Sequence, residues 1–137
     1  MSLSPNAILV SRVVFIITVC LITYLAITQH HLPVFDDVRD PFRHTLVYYV
    51  LHMVAFYLLA LLFDFAFPYK PPVVAKFTLL LGYGFGIEVF QGLFTERTFS
   101  LFDLLADMIG ITLYVVSIPL LKHISWLRHR WDGEAPV

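Results

Sequence analysis

Charge is scarce in this chain. Asp, Glu, Lys and Arg make up 14% of its 137 residues, against roughly 25% in a soluble domain. So few charges cannot clothe an ordinary water-facing surface. The formal net charge of −1 leaves no basic stripe, which excludes nucleic acid as a partner. A single cysteine, Cys20, rules out an internal disulfide; set in an apolar run, it reads as a small buried hydrophobe. No Gly-rich loop precedes a helix, so Gly82, Gly84 and Gly86 read as packing positions rather than a phosphate cradle. Gly82 and Gly86, four apart, are the pair expected to admit a neighbouring helix. A nucleophile motif, a metal-ligand signature and an inverted repeat are all missing as well.

Apolar sequence is abundant: 59% of residues are hydrophobic and the mean hydropathy is +0.81. Apolar runs fall at 7–28, 45–67, 76–94 and 101–121, each close to the roughly 20 residues a helix needs to cross a bilayer. The expected fold is all-α and integral to the membrane: one domain over 1–137, built as a bundle of four transmembrane helices. Arg12 before an apolar stretch also suits a cleaved signal peptide. The run is long and its small-residue cleavage pattern poor, so a retained helix is expected.

The connections are polar. Residues 29–44 are broken by Pro33 and Pro41 and kept wet by Asp36, Asp37, Arg39, Asp40 and Arg43; His30, His31 and His44 read as solvated loop histidines. Pro68, Pro71 and Pro72 make a short turn. Pro119 falls in the last turn of the fourth helix, where a kink is expected. Trp126 and Trp131, with Arg128 and Arg130, look like interfacial anchors. One side of the membrane collects Arg12, Lys70, Lys76, Lys122, Arg128 and Arg130, the other Arg39, Arg43 and Arg97. That bias predicts both termini in the cytoplasm.

Polar residues inside the spans are costly and mark functional sites. With a rise of 1.5 Å per residue, His52, Glu88 and Asp107 are expected about 9–10 Å below the same face, on three different helices. Glu88 and Gln91 share a helix face, and Asp103, Asp107 and Gly110 form one stripe. Tyr48 and Tyr49 accompany His52, and Arg97 stands in the turn above. Together these outline a polar pocket opening outward. The plainer readings are helix capping for Ser100 and Asp103, a loop cation for Arg97, polar glue between helices for Glu88 and Asp107, and a hydrated Asp64 near the cytoplasmic end.

These same residues resemble the VanZ-like family of small bacterial membrane proteins. That family's pattern is a histidine early in one helix and Glu-x-x-Gln in the next, then an Arg, Ser-x-x-Asp and Asn-x-x-Gly. The pattern falls on His52, Glu88, Gln91, Arg97, Ser100, Asp103 and, by position, Asp107 with Gly110; the resemblance covers about 48–121. Two positions depart from it. Tyr48 and Tyr49 stand where the family usually has Asp-Lys, although an alternative alignment uses Asp40 and His44. Asp107 replaces the asparagine, adding a possible charge. The resemblance implies the bacterial inner membrane and, for the name-giving member, antibiotic resistance toward a glycopeptide that binds cell-wall precursors. It implies no established reaction.

Three functions are expected to compete. One is a cell-envelope protein whose pocket binds a membrane lipid or lipid-linked cell-wall precursor, or docks a partner protein. The second is an enzyme acting on a phosphorylated or isoprenyl lipid: Glu88 as general base, His52 as its partner, Arg97 on phosphate, Asp103 and Asp107 holding a divalent cation such as Mg²⁺. The third is a small transporter using Glu88 and Asp107.

Overall fold

The computed structural model describes residues 5–28, 41–67, 72–95, 99–128 and 131. Five helices lie among them: α1 (Pro5–Thr28), α2 (Pro41–Ala66), α3 (Val73–Phe94), α4 (Leu101–Leu121) and the short α5 (Ser125–Arg128). The first four are long and apolar enough to cross a membrane. The apolar runs locate them well, but α1, α2 and α3 begin a few residues before their runs do. Nothing in water stops a helix where hydropathy falls, so Pro41 and Val73 open α2 and α3 in polar or Pro-rich sequence. The helix α4 keeps its 101–121 limits and continues past Pro119 to Leu121.

The bundle is apolar outside and polar within. Large hydrophobic side chains are exposed along all four long helices, from Leu9, Val13 and Ile17 on α1 to Leu113, Val116 and Leu120 on α4. Buried inside, meanwhile, are Asp64, Lys76, Glu88, Gln91, Asp103 and Asp107. A water-soluble monomer does not expose apolar surface on this scale, whereas hydrocarbon is indifferent to it. Two hydroxyls on the outer faces bond back to their own helices, Thr18 to the Val14 carbonyl at 2.8 Å and Thr112 to that of Met108 at 2.8 Å, which satisfies both donors. Cys20 is exposed on α1, contrary to the expectation that it is buried. A small apolar side chain costs nothing in contact with lipid.

Packing is most extensive between α2 and α4. These two run parallel: Tyr48 meets Asp103 and His52 meets Asp107, both at an offset of 55 residues. Consecutive helices are antiparallel, so α3 serves as the crossover between two parallel partners. It packs on α4 and its N-cap through Gly84 and Glu88, on Phe99 just before α4 through Gly92, and on α2 through Tyr83 and Lys76. The remaining helix, α1, lies along α2 and α3, with Phe15 edge-on to Phe63 and Phe67 and Thr23 bonded to Tyr83 at 2.7 Å. Phe56, Leu59, Ala60, Leu80, Ile111 and Tyr114 form the buried core.

The close helix approach is not at the expected glycines. A Cβ on Gly82 or Gly86 would meet nothing within 4 Å, whereas one on Gly110 would collide with the Met53 carbonyl. A Cβ on Gly84 would come within 2.5 Å of Asp107 Oδ2 and 3.0 Å of the Phe56 ring. Glu88 and Gln91 set the rotation of α3. Burying them buries Gly84 and turns Gly82 and Gly86, about 200° away, to the outside.

Gly110→Ala is therefore expected to destabilise the protein by about 1–3 kcal/mol, because backbone cannot yield as a side chain can. Gly82→Ala and Gly86→Ala are expected to be neutral or mildly stabilising through helix propensity. Thermal melts of the three variants in one detergent check this ranking; equal losses would refute it.

Candidate functional site

The expected polar residues do converge, at the end of the bundle where α3 stops and α4 starts. Ser100 is the N-cap of α4, its hydroxyl accepting from the Asp103 amide at 3.3 Å. In a capping box the acid three residues on would return to the N-cap amide. Here Glu88 takes that amide instead, accepting the Ser100 N–H at 2.9 Å from across the helix pair. The Asp103 carboxylate is thereby left to accept the Ser100 hydroxyl at 3.0 Å and the Tyr48 hydroxyl at 3.0 Å. The capping role and the site role of Asp103 are one arrangement.

One turn deeper, His52 Nδ1 lies 2.8 Å from Asp107 Oδ1. His52 is the one of the pair near the surface, its side chain 12% exposed against 2% for Asp107. The Tyr48 ring packs against the imidazole, tilted at 46° with 4.7 Å between centroids, and so links the Asp103 and His52–Asp107 groups. Gly84 gives Asp107 room, and Gly110 brings α2 close enough for both bonds. Gln91, one turn along α3 from Glu88, donates Nε2 to the Ala26 carbonyl of α1 at 2.6 Å. Glu88, Gln91, Asp103 and Asp107 are each at most 2% exposed.

Two expected partnerships differ. His52 pairs with Asp107 rather than Glu88, because parallel α2 and α4 stay in register through this region while α3 crosses. Tyr49 is outside the knot, its ring 6.3 Å from that of Phe102. Arg97 falls at 96–98, outside the described residues, as do His30 and His31. Among the described residues no group of three His, Cys, Asp or Glu side chains forms a metal site, and Asp103 and Asp107 turn to different partners.

A second polar cluster occupies the opposite end, and sequence reasoning passed over it. Asp64, expected to reach water, is 5% exposed and ion-paired with Lys76, itself 4% exposed. The Lys76 ammonium is 2.7 Å from the carboxylate and 4.9 Å from the Tyr114 ring centre. Tyr114 donates its hydroxyl to Asp64. Trp131, expected as an interfacial anchor, folds back instead. Its indole N–H reaches Asp64 Oδ2 at 3.4 Å and its ring stands edge-on to Phe65. Arg12 Nε donates to the Ala66 carbonyl at 3.0 Å, serving the C-terminal end of α2. A signal was present: Asp64 stands four residues before Pro68 and Lys76 four after Pro72. Opposite charges at mirrored positions of a helical hairpin share one depth.

Between the clusters lies apolar core. Asp107 and Tyr114 are seven residues apart on α4, about 10 Å, and Phe56, Leu59, Leu80 and Ile111 fill the interval.

Comparison with protein-family models, with curated proteins and with solved structures finds no significant match to this chain.

Removing one partner of a buried ion pair strands the other. Lys76→Met is expected to cost about 3–5 kcal/mol, and adding Asp64→Asn, which still accepts from Tyr114, to recover most of that loss. A double-mutant cycle by denaturant unfolding in micelles checks the coupling. Strictly additive losses would mean that the pair is not coupled.

Proposed function

We propose that this chain is a multi-pass protein of the bacterial inner membrane that binds the polar headgroup of a membrane lipid or lipid-linked cell-wall precursor. The binding elements are His52, Glu88, Gln91, Asp103 and Asp107, with Tyr48 and Ser100 as their supports. One observation carries the reading: acids from two helices and a histidine from a third are gathered within a bundle whose outer surface is apolar. Packing alone is served more cheaply by Leu or Ala, since ionisable groups in hydrocarbon cost a few kcal/mol or more each. The VanZ-like spacing from Glu88 to Gly110 supports the same residues and the envelope setting, including a link to glycopeptide resistance. Arg97 lies outside the described residues and is assigned no part.

The basic residues support cytoplasmic termini, although Lys76 weighs less than its position suggests. It is buried against Asp64, so as a neutralised pair it does little to hold its end on the cytoplasmic side. On this orientation the site lies toward the outer face, where a headgroup in the outer leaflet would reach it.

Of the other readings, the enzyme loses its simplest acid–base pair, because Glu88 and His52 have different partners. A His52–Asp107 pair still resembles an oriented acid–base group. Transport through one copy would have to cross the apolar layer of Phe56, Leu59 and Ile111.

The test is reconstitution in nanodiscs with radiolabelled isoprenyl-phosphate lipids and phospholipids, with and without Mg²⁺, alongside Glu88→Gln and Asp103→Asn. Lipid retained unchanged by the native chain and lost by correctly folded variants is the expected result. A chemically altered lipid would establish the enzyme instead, and no retained lipid would overturn headgroup binding.

A further inference from the structure

Away from the acidic site, at the end of the bundle where α2 stops, one cation has most of its donors open. The Nε of Arg12 donates to the carbonyl of Ala66, the last residue of α2, at 3.0 Å. That bond uses one of the five N–H donors of the guanidinium. Among the described residues it is the sole polar contact of Arg12, and no carboxylate pairs with it. Arg12 is exposed, yet its setting is apolar. Leu9 and Ile16, about one turn to either side on the same face of α1, are exposed hydrophobic side chains. On the flank that meets α2, Phe15 packs edge-on to Phe63 and Phe67. The helix runs on from Arg12 to Pro5, about 10 Å, so the guanidinium stands within the apolar length of α1 rather than beyond its end.

Two constraints define what meets this cation. With Nε held by Ala66, the free edge is the fork of Nη1 and Nη2, a planar pair of donors that matches two oxygens of one phosphate. The C-terminal dipole of α2 offsets only part of the charge, so the partner must bring net negative charge. A zwitterionic headgroup carries its own cation beside its phosphate and brings none. A molecule that joins a net anionic phosphate to acyl chains meets the fork and its apolar flanks together.

We propose that Arg12 forms a binding site for an anionic phospholipid, its Nη1–Nη2 fork gripping the phosphodiester while an acyl chain lies over Ile16. The site belongs to α1 and the end of α2, shares no residue with the site around Glu88 and Asp107, and does not depend on it. The hydrogen bond to Ala66 aims the fork; the charge and the two remaining nitrogens select the lipid.

The experiment measures binding of phosphatidylglycerol and phosphatidylcholine of matched acyl chains to the purified full chain by native mass spectrometry. Thermal shifts with inorganic phosphate run beside it. Phosphatidylglycerol is expected to bind about tenfold more tightly, the worth of one charge-assisted hydrogen bond. Two variants separate the fork from the Ala66 contact. Arg12→Gln keeps an N–H donor for the carbonyl but loses charge and fork, and is expected to erase the preference while its lipid-free melt stays near that of the native chain. Arg12→Lys keeps the charge without the fork and is expected to retain only part of the preference.

Equal binding of both lipids by the native chain, or a preference that survives Arg12→Gln, would overturn the assignment. Stabilisation by inorganic phosphate without any lipid preference would make the ligand a free anion and overturn the phospholipid reading. Should the lipid-free melt show Arg12→Gln unfolded, Arg12→Lys carries the test: an undiminished preference there means that charge alone suffices, and the fork is refuted.

Discussion

The contact of Gly110 with the backbone of Met53 governs the arrangement of this bundle. It lets α2 and α4 run side by side at a separation that a side chain would forbid. Parallel neighbours repeat their pairing every turn, so the step from Tyr48 to His52 on α2 matches the step from Asp103 to Asp107 on α4. One glycine thus brings two carboxylates, a phenol and an imidazole within bonding distance. Further along the same seam, Tyr57 meets Ser117 at 2.9 Å and Asp64 meets Tyr114.

Hydrocarbon supplies no hydrogen bonds, and that explains why polar groups come in sets here rather than singly. Each end of the bundle solves the problem differently. At one end opposite charges cancel, Lys76 lying against Asp64 over the Tyr114 ring. At the other, the donors to the carboxylates among the described residues include Ser100, Tyr48 and one imidazole. The first arrangement suits a staple joining α2, α3 and α4. The second leaves the Gln91 Oε1 acceptor buried without a hydrogen bond and is the less complete staple. The apolar layer of Phe56, Leu59 and Ile111 keeps the two from sharing hydrogen-bond partners.

Most of the first cluster was legible in the sequence because helical spacing is a local property. Glu88 with Gln91, and Asp103 with Asp107 and Gly110, share faces whatever surrounds them. Depth was legible to about one turn: Glu88, expected level with His52 and Asp107, meets the N-cap of α4 a turn above them. The partner of each residue was not. Whether His52 meets Glu88 or Asp107 depends on the order of helices around the bundle, which spacing along a single helix does not contain. The Asp64–Lys76 pair was missed for a related reason. Proximity to a helix end does not give Asp64 access to water, because Trp131 and Tyr114 close that end.

By itself, then, the sequence determined the number of long helices, their approximate limits and which face of each carries polar groups. Those follow from hydropathy and a 3.6-residue period, both readable from neighbours in the chain. Tertiary structure alone decided that α2 and α4 are the intimate pair, that Gly84 and Gly110 rather than Gly82 and Gly86 admit a neighbour, and that Asp64 is buried. Those outcomes turn on which helix lies against which. In a bundle whose outer surface is as apolar as its core, hydropathy cannot tell the inward face from the outward one; only the polar partners can.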